Sequence, residues 1–323
     1  MKKVLAFSLI TMFAFSCAKE TKNELSNTAV TTTEDAATHE RHCAAHDVLM
    51  AQMAADPSLA QKHEEIEKFI ENYAQSAHDR SFPVVIPVVV NVLYKTAAQN
   101  ISLAQIQSQI DVLNADFAAT NADYNNTPAL FQGVRSGDIQ VSFVLQNVVR
   151  KSTNKNSWLT NDAMKKSSQG GINPTSPTTT LNIWVCNLSG GILGYAQFPG
   201  GPSATDGVVL DDNATGNTGT AAAPFNKGRT ATHEVGHWLN LRHIWGDATC
   251  GSDLVSDTPT HNTSNGGCPA YPHYSTCSGT PVEMTMNYMD YTNDVCMYMF
   301  SAGQKTRMQA TFAPGGPRAS FNP

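Results

Sequence analysis

One run of residues, His233-Glu234-Val235-Gly236-His237-Trp238-Leu239-Asn240-Leu241-Arg242-His243, restricts what this chain can fold into more than any other stretch. Side chains four apart share a helix face, so His233 and His237 offer two imidazole nitrogens to one ion, with Glu234 beside the remaining coordination position. A third histidine so soon afterwards reaches that ion only if the helix stops and the chain turns before His243. Asn240 lies where the turn must fall, and asparagine is second only to glycine in the left-handed conformation that ends such helices. The run therefore predicts a helix, a sharp turn and a three-histidine zinc site with a carboxylate alongside. An H-E-x-x-H match arises by chance in a chain of this size at roughly the one per cent level, and the third histidine lowers that by more than about tenfold.

The run resembles the metzincin pattern H-E-x-x-H-x-x-G-x-x-H, which is followed by a methionine-containing turn. The turn candidate here is Asn287-Tyr288-Met289-Asp290-Tyr291-Thr292. With the segments LNIWVCNL, GYAQFP and SDTP, the chain resembles the pappalysin family of zinc endopeptidases, in its bacterial, ulilysin-like branch, from about Ser81 to the C-terminus. Asn240 stands where that family usually has glycine. The resemblance implies an α/β (α+β) metzincin: a twisted mixed sheet with a backing helix and an active-site helix (81–240), then a loop-rich, disulfide-bonded C-terminal subdomain (241–323). It implies that Met289 is an apolar floor beneath the imidazoles rather than a ligand, its softness suiting an irregular gap. Tyr291 is implied to hydrogen-bond near the metal and stabilise transition-state charge. Gly194-Tyr195-Ala196 is implied to be the edge strand on which an extended substrate adds as one more strand. Four cysteines after the zinc motif allow three pairings; the resemblance implies Cys250 with Cys277 and Cys268 with Cys296. Some relatives cut before a basic residue using an acid beside the last half-cystine. Val295 stands there, and Asp294 is the acid that could substitute.

Composition sets the class and the compartment. The net charge of −6 contains no block of like charge, which gives no electrostatic case for nucleic acid. Seven cysteines suit a disulfide-bonded exported protein better than a cytosolic enzyme. Met1-Lys2-Lys3, the apolar run 4–15 and Ser16-Cys17 form an export signal over 1–17, too short to span a bilayer as a mature helix. Two outcomes follow: acylation of Cys17 as in bacterial lipoproteins, with surface or outer-membrane attachment, or ordinary cleavage near Ser16 and secretion. Membrane contact is expected only through that anchor, and a monomer is expected.

Residues 18–38 have almost no large apolar side chain and read as a tether. Two propeptide helices follow, about 45–54 and 57–77, the second with Ile66, Phe69, Ile70 and Tyr73 at helical spacing. Arg41-His42-Cys43 precedes them. A thiolate is a strong zinc ligand, so Cys43 can hold the metal in a zymogen, as the resemblance implies; the alternative is a free thiol in a flexible arm. The polar junction Asp79-Arg80-Ser81 is the expected activation site, cut after Arg80. One propeptide (18–80) and one catalytic domain of about 240 residues (81–323) account for the length.

Within the catalytic part, 84–93 reads as a buried strand and 103–118 as a helix with Ile106, Ile110, Leu113 and Phe117 in one stripe. Strands are expected at 139–145, 181–185 and, as a short strand or loop, 206–210. The interval 151–180 reads as polar loop with a short helix, and Cys186 as a small buried residue. A turn over 224–230 leads into the zinc helix, with Arg229 or Thr230 near its start, and a helix over 302–312 closes the chain. Asp247, Asp253, Asp257 and Thr258 place several oxygens in a short stretch, read either as a structural calcium site or as solvated loop carboxylates. The function expected is a secreted or surface-anchored zinc endopeptidase acting on extracellular proteins or peptides, with Glu234 as general base to a zinc-activated water. A non-catalytic surface lipoprotein on a protease-like scaffold and a zinc hydrolase of non-protein substrates are the rivals, and the retained Glu234 and the GYAQFP edge weigh against them.

Overall fold

The computed structural model describes residues 40–75 and 83–322, so the expected leader, tether and Arg80–Ser81 junction lie outside the described residues. Two helices come first, α1 (Ala45–Ala55) and α2 (Pro57–Gln75). Then β1 (Val84–Tyr94), α3 (Leu103–Phe117), β2 (Val141–Ser152), β3 (Leu181–Cys186), β4 (Gly194–Ala196) and β5 (Val208–Asp211) lead into α4 (Arg229–Trp238); α5 (Ala302–Ala310) comes near the end. The sheet has the order β2-β1-β3-β5-β4, parallel throughout except for β4, which runs antiparallel to β5 at one edge. No described helix is long and apolar enough to cross a membrane.

β-branched residues make β1 a strand buried on both faces from Val88 to Leu93, the usual condition of a parallel sheet covered by helices. α3 covers one face. Ser102 caps it by accepting from the Gln105 amide at 3.1 Å, and Ile106, Ile110, Leu113 and Phe117 are buried against the sheet. α4 joins the same core through Ala231, Val235 and Trp238, together with Met289 and its neighbours. Burial of each such large side chain contributes about 1.5–3 kcal/mol.

Two expected elements differ. The strand predicted at 139–145 begins at Val141 and runs to Ser152. Its register against β1 jumps from Val88↔Leu145 to Val89↔Asn147, so Gln146 is an extra residue that puts the alternation out of phase. The short helix expected within 151–180 is two single 3₁₀ turns, Ala163–Lys165 and Ser167–Gln169. Cys186 is fully buried and unpaired at the end of β3.

The turn after α4 falls at Asn240, whose φ is +67°. The Leu241 amide donates to the Gly236 carbonyl (2.9 Å) and the Asn240 amide to that of His237 (2.9 Å), the paired bonds of a Schellman end. Below it the chain is mostly loop, closed by disulfides Cys250–Cys277 and Cys268–Cys296. The backbone at Asn240 predicts that Asn240→Gly keeps unfolding stability within about 1 kcal/mol, whereas Asn240→Val costs about 2 kcal/mol, because β-branching fits the left-handed region poorly. Denaturant unfolding of the two variants checks this; equal stabilities would remove the conformational role of this position.

Candidate metal centre and substrate cleft

α4 presents His233 and His237 on one face, and the turn brings His243 back to them. The Nε2 atoms of His233 and His243 each lie 3.1 Å from Nε2 of His237. A tetrahedral zinc with bonds of about 2.0–2.1 Å spaces its nitrogens by about 3.3 Å, so the spacing fits the ion. Their other nitrogens explain the convergence. Nδ1 of His233 faces the Tyr288 carbonyl (2.6 Å), Nδ1 of His237 the Leu241 carbonyl (2.8 Å), and Nδ1 of His243 the Asp247 carboxylate. Each Nδ1 must donate to such an acceptor, which leaves three lone pairs aimed at one point with no proton between them. A cation resolves that repulsion. Burial, then the neighbouring rings, push the pKa of His233 and His237 well below the usual histidine range, so both stay neutral and able to bind a metal.

Cys43 completes the group: its thiol and the three imidazoles offer ligand atoms all within 4.8 Å of one another. A bridge in parallel register pairs Cys43 with Gly194, and the Ala44 amide donates to the Gly194 carbonyl at 3.1 Å. The segment before α1 therefore lies along the exposed edge of β4. Glu234 is buried, and its Oε2 is 3.4 Å from the Cys43 sulfur. Burial raises its pKa to about 8, against the lowering effect of Cys43 and Arg41. Gly194 makes room for this carboxylate, since a Cβ there would stand 3.1 Å from Glu234 Oε1 and 2.9 Å from the Val209 carbonyl. Tyr195 points the other way, its hydroxyl donating to buried Asp162 (3.0 Å), and Ala196 is buried in the core.

Met289 lies beneath α4, where a Cβ on Gly236 would fall 2.5 Å from its sulfur. Tyr291 sits beside His243, ring centroids 4.9 Å apart, and its hydroxyl donates to the Cys43 carbonyl at 3.1 Å. Asp294 is fully buried and meets the Arg41 guanidinium at 2.5 Å, while also accepting from the Lys227 amide at 2.7 Å. Phe225, Thr230 and Met297 complete the surroundings of Arg41. Val295 is 54% exposed, whereas Asp294 is fully buried.

The structure gives no support to calcium at Asp253, Asp257 and Thr258, whose oxygens serve local hydrogen bonds, Asp253 with Thr258 and Asp257 with the start of α5. Asp253 accepts from Thr258 Oγ1 (2.9 Å) and the Val255 amide (3.1 Å). Asp257 accepts from Ser301 Oγ (2.6 Å) and the Gly303 amide (2.8 Å) at the start of α5. Asp247, read with them, belongs to His243 instead. Sequence reasoning also missed Glu67 of α2, which meets Asn240 Nδ2 at 3.1 Å and Arg307 at 2.6 Å. No motif marks it, because its partners are brought together by tertiary folding alone.

The chain is similar to several known proteins. A family model described as pregnancy-associated plasma protein-A matches residues 177–313. Extracellular metalloproteases of Verticillium alfalfae and Coccidioides posadasii are each 33% identical, over 71% and 72% of this chain and 78% of each relative. The chain belongs to the pappalysin family. Among solved structures, a promirolysin mutant of Tannerella forsythia superposes with a TM-score of 0.80 at 42% identity, covering 87% of this pappalysin and 97% of that chain. Mature mirolysin of the same organism in complex with a cleaved peptide gives 0.72 at 45% identity, over 75% and 96%. The pappalysin is accordingly a zinc metalloendopeptidase with a metzincin fold.

The close approach of Met289 to α4 predicts that Gly236→Ala displaces the methionine and costs about 1–3 kcal/mol through overpacking. Thermal unfolding with zinc present measures the cost; an unchanged midpoint would mean that the methionine turn is not seated against this glycine.

Proposed function

We propose that the chain is the secreted zymogen of a zinc endopeptidase of extracellular proteins, in which Glu234 is the general base and Cys43 blocks the metal until residues 40–75 leave. One observation carries the reading: the Cys43 sulfur shares a single cluster with three imidazole donors and lies 3.4 Å from Glu234. A thiolate in that place takes the coordination position that catalytic water needs. The relatives named extracellular metalloproteases and the leader over 1–17 support secretion. The match to a promirolysin supports a proform, and the mirolysin–peptide complex supports peptide substrates. On this reading residues 18–80 are tether and propeptide, residues 81–323 are the catalytic domain, and the cut falls between Arg80 and Ser81. Acylation of Cys17 would fasten the enzyme to a membrane surface.

When bound, zinc supplies Lewis acidity that polarises a peptide carbonyl and lowers the pKa of water towards neutrality. Glu234 then takes the proton of the attacking water and delivers it to the leaving nitrogen. Its buried place next to the metal donors lets one carboxylate serve both transfers. Tyr291, released from the Cys43 carbonyl when the segment departs, points its hydroxyl at the developing oxyanion. The edge of β4 that now pairs with Cys43 becomes free for an extended substrate.

Arg41 supports a preference for basic side chains. Its guanidinium neutralises Asp294, and its departure leaves a buried carboxylate with main-chain amides but no counter-charge, which an arginine or lysine of the substrate would supply. A non-catalytic binding scaffold fits less well, since Gly194 is shaped to admit the Glu234 carboxylate, a clearance that mere binding does not need.

Three experiments test the reading. Glu234→Gln is expected to lower casein hydrolysis by at least about 10³-fold with zinc content unchanged, and hydrolysis at the wild-type rate would sink the role of the base. Cys43→Ala is expected to speed the appearance of chelator-sensitive activity once the chain is cut, because one anchor of the segment is gone; activation at the parent's rate would remove the thiol from the account. In a peptide library, Asp294→Ala is expected to lose a preference for cutting before Arg or Lys, and a parent enzyme without that preference would exclude the pocket assignment.

A further inference from the structure

The three imidazoles are held by unlike groups. Nδ1 of His233 and His237 faces neutral main-chain carbonyls, of Tyr288 and Leu241, whereas Nδ1 of His243 faces a carboxylate, that of Asp247. His243 is also pinned from the side, because Trp245 stacks on it with centroids 4.3 Å apart and planes 8° from parallel. The backbone is bent to deliver Asp247: Gly246 and Asp247 have φ of +64° and +57°, and a left-handed aspartate costs about 1–2 kcal/mol. Gly246 is held to glycine by space as well, since a Cβ there would meet Ser252 backbone atoms at 2.4–2.5 Å. Such a strained turn is retained where its geometry is needed. The second oxygen of Asp247 lies 3.3 Å from Nδ1 of His46 on α1, so the N-terminal segment touches the same carboxylate.

We propose that Asp247 is the positioning residue of the metal centre: it fixes His243 as the Nδ1–H tautomer and lends that one imidazole the negative charge that strengthens its Nε2 as a donor. A main-chain carbonyl can fix a tautomer, but it carries no charge, so His243 is the strongest donor of the three. A carboxylate partner of a ligating histidine typically contributes 10–100-fold in metal affinity. The inference rests on the zinc reading above.

The test uses the full-length chain carrying Cys43→Ala, so that the thiol does not mask the imidazoles. Zinc affinity is read by competition with a chromophoric chelator, and the cobalt-loaded protein supplies a visible ligand-field spectrum. Adding Asp247→Asn, which keeps the shape and removes the charge, is expected to weaken zinc 10–100-fold and shift the cobalt bands, with Asp247→Glu recovering part of the affinity. Affinity and spectrum equal to the parent's would overturn the proposal. Failure of the parent itself to bind zinc would instead overturn the metal reading on which it rests. Should the Asn variant not fold, long-range proton–nitrogen spectra of the zinc-loaded, unsubstituted chain decide. His243 must be protonated on Nδ1, with that proton further downfield than those of His233 and His237; any other order overturns the assignment.

Discussion

Three imidazole lone pairs facing one another about a single point form the constraint to which the rest of the structure answers. Without a cation the arrangement is repulsive, and each ring would relieve it by turning over if its Nδ1 were free. None is free. The Tyr288 carbonyl comes from the methionine turn, the Leu241 carbonyl from the helix-ending turn, and the Asp247 carboxylate from the loop beyond. The folding free energy of three separate segments thus holds the donors in a geometry that they would leave by themselves. Binding of a metal then stabilises the folded state in turn, since the unfolded chain has no such preformed site.

That division of labour explains which features were legible in the sequence. The spacing of His233, His237 and His243 fixes how far apart the donors lie along the chain, and one backbone position with positive φ, at Asn240, is enough to make them meet. Both are local, so both can be read from a short run. The core helix α3 is legible for the same reason, its stripe from Ile106 to Phe117 being periodic. Contacts that depend on distant segments arriving together were not legible. Arg41 meets Asp294 across 253 positions of chain and Glu67 meets Arg307 across 240, and no short pattern marks either pair. The acidic stretch over 247–258 left two readings open, calcium ligands or loop carboxylates. Density of carboxylates along a chain says nothing of where they point, and Asp247, Asp253 and Asp257 turn to three different partners.

Asn240 shows how one departure from a family pattern can take on a second task. Glycine at this place would supply the left-handed turn and nothing more. Asparagine supplies the turn and also an amide, whose nitrogen meets Glu67 of α2, while Arg307 bridges the same carboxylate to the Asn240 carbonyl. The turn that aims His243 is thereby in contact with the N-terminal segment some distance from the thiol.

On the zymogen reading, that segment is held by apolar packing of α1 and α2 and, among its polar contacts, by Arg41 on Asp294, Cys43 at the imidazoles, His46 on Asp247, and Glu67 at the turn. The charged contacts near solvent contribute little individually, whereas the Arg41–Asp294 pair is fully buried. Their strength lies in linkage, because one covalent chain presents all four at a high effective concentration. Cutting the chain between α2 and β1 breaks none of these contacts. The cut turns an intramolecular inhibitor into an intermolecular one, so release depends on dilution or on further cleavage within 40–75. Activation is then governed by how fast the severed helices leave rather than by the cut itself, and weakening any one anchor should hasten it without touching the chemistry.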